Sequence, residues 1–121
     1  MREFHDAFGI NSIDQPSVKL DPKTVQLRFD LMQEENQEYL EAAQSGDLIE
    51  VADALGDMLY ILCGTMLTHG MQGKIEEVFT EIHRSNMSKL GADGKPVYRE
   101  DGKVLKGENY FKPNIGAFFD K

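Results

Sequence analysis

Cysteine is almost missing from this chain, which carries Cys63 and no other. No intrachain disulfide can form, and no cysteine-rich metal site of the zinc-finger kind. Basic residues are scarce too: Lys and Arg number 13 against 21 Asp and Glu, a net charge of −8. Binding a nucleic-acid backbone or an anionic membrane needs a basic face, so neither partner is expected. The start, Met1-Arg2-Glu3-Phe4-His5-Asp6, has no apolar stretch, and no secretory signal is expected there. The most apolar segment, Ala54 to Leu67, carries Asp57 and falls short of the roughly 20 residues that span a bilayer. No repeat and no low-complexity segment interrupts the chain. A cytoplasmic protein is the expectation.

What is present fits one domain over 1–121, since domains most often run to about 100–150 residues. Hydrophobic residues make up 40%. A chain this small buries a limited share of its surface, a deficit that oligomerisation repairs. Asp21-Pro22 reads as a helix start, with Asp as N-cap and Pro in the first turn. A helix pattern runs to about Gln44, a second from Asp47 to about His69, and a third from about Gly73 to Leu90. Short connections make neighbouring helices antiparallel. The expected fold is therefore all-α, an antiparallel helical bundle with its core over about 21–91. Residues 92–121 read differently. Asp101-Gly102 lies between the β-prone runs Pro96–Arg99 and Lys103–Lys106, which predicts a small β-hairpin. An irregular tail follows, and its Tyr110, Phe111, Phe118 and Phe119 are expected to pack on the body or on a partner subunit.

On a helical wheel at about 100° per residue, Glu35 sits in the middle of the apolar stripe of the first long helix. Leu27, Arg28, Leu31, Met32, Glu38, Tyr39, Ala42 and Ala43 surround it. Glu34 lies at the edge of that stripe. The second long helix is apolar nearly all round, yet Glu50, Asp53 and Asp57 share one narrow strip at i, i+3 and i+7. Burying an unpaired carboxylate is costly or forces protonation. Salt bridges are the bland alternative, but Arg28 alone cannot neutralise five inward carboxylates. A bound cation is the better reading. All-oxygen ligands suit Mg²⁺ or Mn²⁺, and Mg²⁺ characteristically keeps waters and binds substrate phosphates. No histidine follows a glutamate by three places, which argues against a di-iron bundle. An acidic protein could hold a nucleotide in this way. In the third helix Asn86 and Lys89 are candidates for phosphate or base, against the alternative of a hydrogen-bonded core Asn and a snorkelling Lys.

Glu34-Glu35-Asn36-Gln37-Glu38 followed by Glu50-Val51-Ala52-Asp53 resembles the paired signature of the all-α, MazG-like nucleoside triphosphate pyrophosphohydrolases. Phosphoribosyl-ATP pyrophosphohydrolase and the dimeric dUTPases are relatives in that superfamily. The stretch from Asp53-Ala-Leu-Gly-Asp57 through Tyr60, with the later Asp93-Gly94-Lys95 and Lys103–Tyr110, is similar to a single-domain subgroup. The resemblance implies hydrolysis of a nucleoside triphosphate to monophosphate and pyrophosphate, with nucleotide-pool house-cleaning as the expected role. By matching positions it implies Glu35, Glu38, Glu50 and Asp53 as Mg²⁺ ligands, with Mn²⁺ able to substitute. Asp57 is either a further ligand or a base for the attacking water, and Glu34 or Glu35 could take the proton. Arg28, Asn86, Lys89, Lys106 and Lys112 are candidates to contact the triphosphate and base. The resemblance also implies a homodimer or homotetramer. Two other readings share these residues: a non-enzymatic, cation-binding helical oligomer, and a pyrophosphohydrolase for a phosphoribosylated nucleotide.

Overall fold

The computed structural model describes residues 1–119; Asp120 and Lys121, at the end of the expected tail, lie outside the described residues. Four α-helices form: α1 (Arg2–Ala7), α2 (Pro22–Ser45), α3 (Leu48–Thr68) and α4 (Ile75–Met87). A short 3-10 turn follows at Ile115–Phe118. Contacts divide the chain into one unit, Met1–Gly73, and a second that starts at Lys74.

The first unit is a helical hairpin with α1 added. Asp21 caps α2, its carboxylate accepting from the Lys23 N–H at 2.9 Å, and Pro22 occupies the first turn. Gly46 ends α2 in the left-handed region, φ 73°, a conformation that costs glycine little. Asp47 at once caps α3 by accepting from the Glu50 N–H at 3.1 Å. So tight a connection forces α2 and α3 antiparallel. Small residues line their seam. Ala42, Ala54 and Gly64 are buried, and a Cβ on Gly64 would stand 2.7 Å from Arg28 Nη2 and 2.9 Å from His5 Nε2. α1 reaches α3 through Phe4, whose ring meets Tyr60 edge-on with centroids 5.3 Å apart.

The apolar character of α3 is not used up in this unit. Leu48, Leu55, Leu59 and Leu62 fall on one stripe and remain 43–79% exposed. At 21 residues α3 is long and apolar enough, by length and composition, to cross a membrane, although the shorter run Ala54–Leu67 was expected to be too short. Its carboxylates Asp53 and Asp57, and the hydrogen bonds that tie it to α2, are features of a helix packed on protein.

The second unit is α4 fastened to the segment after it. Ser85 Oγ donates to the Phe111 carbonyl at 2.8 Å, and the Phe111 N–H donates to Ser88 Oγ at 3.1 Å. The Asn114 N–H donates to the buried Glu81 carboxylate at 2.9 Å. Arg84 pairs with that same carboxylate and lies over the Phe111 ring, 4.3 Å from its centroid. Through Phe111, the aromatic tail packs on its own helix. α4 ends at Met87, three residues before the expected Leu90.

The expected β-hairpin does not form as such: among the described residues there is no strand. Asp101-Gly102 does turn the chain, with Gly102 at φ 88°, and a single antiparallel bridge joins Tyr98 to Val104. The Leu105 N–H reaches the Val97 carbonyl at 2.7 Å. The pairing stops there because nothing buries it: Val97, Tyr98, Val104 and Leu105 are all exposed, and an isolated two-stranded ribbon is marginal in water.

Candidate functional site

Antiparallel pairing of α2 and α3 sets two inward groups of α2 against α3, two turns apart. Arg28 is the first. It is 7% exposed, its Nε donates to Thr65 Oγ1 at 3.1 Å and its Nη2 to the Ile61 carbonyl at 2.9 Å. Glu35 is the second. It is half-buried, and its Oε2 is sealed from solvent with no hydrogen-bond partner. Burial, then the neighbouring Glu38 side chain, then the charges of Asp57 and Glu34, push its pKa up to about 7. No lysine or arginine lies within ion-pair distance of it among the described residues.

The structure thus brings Glu35 together with Glu34, Glu38 and Asp57. Glu50 and Asp53 are exposed on α3, toward its N-terminus from Asp57. Among the described residues no three or more His, Cys, Asp or Glu side chains stand close enough to form a finished metal cage. The donor set nonetheless fits a hard divalent cation. It offers carboxylate oxygens alone, one of them buried and unpartnered among the described residues, amid like charges with which no described Lys or Arg pairs. Such a site keeps its negative charge at neutral pH only at a cost, and a bound cation would remove that cost.

The remaining candidates belong to the second unit. Asn86 and Lys112 are exposed and Lys89 is half-buried. Lys106 lies over the Tyr110 ring, 4.9 Å from its centroid. Among the described residues Arg28 pairs with no carboxylate, so it is not the counter-charge that the salt-bridge alternative required. Two residues escaped the sequence reading. His5 is 1% exposed beside Arg28, with its Nδ1 3.3 Å from Ser12 Oγ. Burial, then the Arg28 charge, lower its pKa. Its only signal was the adjacent Phe4 on a short helix. Glu81 is buried as the anchor of the tail, and its signal was Arg84 one turn later.

The all-α chain is of the MazG-like pyrophosphohydrolase superfamily. Residues 1–86 match the phosphoribosyl-ATP pyrophosphohydrolase family, and the chain belongs to it. The chain is 35% identical over 107 residues to uncharacterized protein L479 of Acanthamoeba polyphaga mimivirus. That match covers 86% of this chain and 39% of the viral protein, so the chain spans about two-fifths of that relative's length. In fold it is similar to a protein of Exiguobacterium sp. 255-15 provisionally named an NTP pyrophosphohydrolase. The TM-score is 0.51 at 24% identity, over 98% of this chain and 90% of that one.

Proposed function

We propose that the protein is a Mg²⁺-dependent nucleoside triphosphate pyrophosphohydrolase that splits a (d)NTP into the monophosphate and pyrophosphate, in a nucleotide-pool house-cleaning role. The observation that carries this reading is the buried, unpartnered Glu35 oxygen among Glu34, Glu38 and Asp57, in a chain of a pyrophosphohydrolase family. Glu35, Glu38, Glu50 and Asp53 would hold the ion, with Asp57 beside them. Bound there, the ion would neutralise charge on the phosphates and acidify water.

The chain's own part is positioning and proton transfer. Water attacks the phosphorus, the phosphoanhydride bond between the α and β phosphates breaks, and pyrophosphate leaves with the bonding pair. The proton lost by the water goes to a carboxylate of α2. Glu34 or Glu35, whichever is not fully used as a ligand, would take it. Arg28, Asn86, Lys89, Lys106 and Lys112 are the candidates for contacts to phosphate and base. A second reading, a phosphoribosylated nucleotide as substrate, is favoured by the family match itself.

A panel of canonical and damaged (d)NTPs and phosphoribosyl-ATP, with Mg²⁺ or Mn²⁺, tests this. Pyrophosphate and monophosphate should appear in equal amounts and only with metal present. Release of inorganic phosphate would overturn the reaction. Cation binding with no hydrolysis of any nucleotide would leave the non-enzymatic reading standing.

The uncovered leucine stripe of α3 supports a homodimer or homotetramer. Leu59, 62% exposed, lines an apolar cleft of about 170 Å³ with Met32, Met58 and Leu62. Exposed patches of this kind mark contact surfaces. Sedimentation at micromolar concentration should show a dimer or tetramer, and Leu59→Glu should shift it to the monomer. A wild-type monomer would remove the proposal.

A further inference from the structure

His5 is 1% exposed, and the reaction proposed above makes no use of it. It sits on α1, which is fastened by the His5 ring itself, by the Phe4 ring against Tyr60 and by the exposed Arg2–Asp14 pair. The chain beyond α1 is tied down separately. The Ile13 N–H donates to the Leu67 carbonyl at 3.3 Å, the Ser17 N–H to the His69 carbonyl at 3.0 Å, and Gln72 Nε2 to the Ile13 carbonyl at 2.7 Å. A Cβ on Gly70 would stand 2.3 Å from the Gln15 carbonyl oxygen, so residues 13–17 lie tightly on the turn that ends α3.

Between the two anchors lies Gly9, at φ 68° and with open space where its Cβ would be. Glycine visits both signs of φ at little cost, and a position next to an element's end is where a hinge absorbs its change. α1 can therefore swing away while residues 13–17 stay in place.

The surroundings of His5 decide when it does. His5 Nε2 and Arg28 Nη2 crowd the same side of Gly64. Arg28 is always charged, and among the described residues no carboxylate pairs with it. A proton on His5 would place a second buried cation beside the first. Burial and then Arg28 oppose the imidazolium most strongly. The Asn11 backbone favours it, the Met1 amino group opposes it and Asp6 favours it, in falling order. From α3 the groups beside it are Gly64 and Tyr60, neither of them charged near neutral pH. We propose that α1 is an acid-released cover, docked while His5 is neutral and freed on the Gly9 hinge when His5 takes a proton. Release would uncover Arg28, 7% exposed under the docked helix, and the Leu31, Tyr60 and Ile61 side of the adjoining cavity of about 220 Å³.

The docked His5 has its pKa held below the ordinary 6.5, and the freed helix recovers that value. The freed state then binds more protons, so docking is at full strength above about pH 6.5 and weakens as pH falls below it. Amide hydrogen exchange on the whole chain between pH 7.5 and pH 5 reads this. The Phe8 and Ile10 N–H groups donate to the Phe4 and His5 carbonyls. Their protection should drop about tenfold per pH unit below about 6.5, the slope of one proton, until His5 is charged in the docked helix too. The Ile13 and Ser17 N–H groups should keep theirs. His5→Gln carries no charge at any pH, and its Phe8 and Ile10 protection should stay level over the same range. If His5→Gln does not dock α1, the wild type decides alone: the His5 imidazole resonance should titrate at the pH where the Phe4–Tyr60 ring contact is lost. Level protection at Phe8 and Ile10 in the wild type would overturn the cover. So would a loss shared equally by Ile13 and Ser17, an equally steep loss in a docked His5→Gln, or a His5 ring that titrates with the Phe4–Tyr60 contact intact.

Discussion

Glu38→Gln is expected to lower turnover about a thousandfold, some 4 kcal/mol at about 1.36 kcal/mol per decade, and to leave the helical hairpin folded. Glu38 is exposed and makes its contact to Glu35, so the amide removes a charge with little change in packing. The loss falls on the reaction. One fewer carboxylate weakens the hold on the ion that screens the phosphates. Steady-state kinetics at saturating Mg²⁺, beside circular dichroism of the same sample, measures both effects. Full activity in Glu38→Gln would remove this residue from the site. Loss of helicity would show that its role is structural.

The long helices were legible because their signals are local. Asp21-Pro22, Gly46-Asp47 and the apolar spacing between them say where α2 stops and α3 begins, and the structure follows them closely. Glu35 was legible as well, since a wheel needs only the sequence of one helix. The pairing across the seam was not. A wheel gives the face of a carboxylate and not its level along the partner helix, so it could not say that, of the exposed Glu50, Asp53 and Asp57, it is Asp57 that stands near Glu35. The hairpin at Asp101-Gly102 failed for the opposite reason. Its local turn chemistry was right, but strands need a surface to pack on, and turn residues carry no information about that. His5 was missed because its burial depends on Arg28 and on the glycine at position 64, both distant in sequence.

The metal-free protein should gain less stability from Glu35 as pH rises. The Glu35 pKa stands at about 7 when folded against an ordinary 4.5. Between those values the folded chain binds more protons than the unfolded one, so stability falls with rising pH across that window and levels off above it. His5 acts in the other direction. Its pKa is lowered, so the unfolded chain holds more protons there, and stability rises as pH climbs to about 6.5. Glu81, whose pKa is lowered by the Asn114 N–H and then by Arg84, acts below the ordinary carboxylate value and is silent in this window. The difference in Tm between wild type and Glu35→Gln isolates the one group, because His5 and Glu81 are common to both. The glutamine variant should become the more stable of the two as pH rises from about 4.5 to about 7. Mg²⁺ should reverse the order at high pH, since the ion binds the ionised carboxylates of the folded chain and stabilises it by mass action. Its effect should be large at pH 7.5, small at pH 5, and much reduced in Glu35→Gln. A Tm difference that stays flat with pH would mean that Glu35 titrates as an ordinary surface carboxylate. Equal stabilisation by Mg²⁺ in both proteins would place the ion elsewhere.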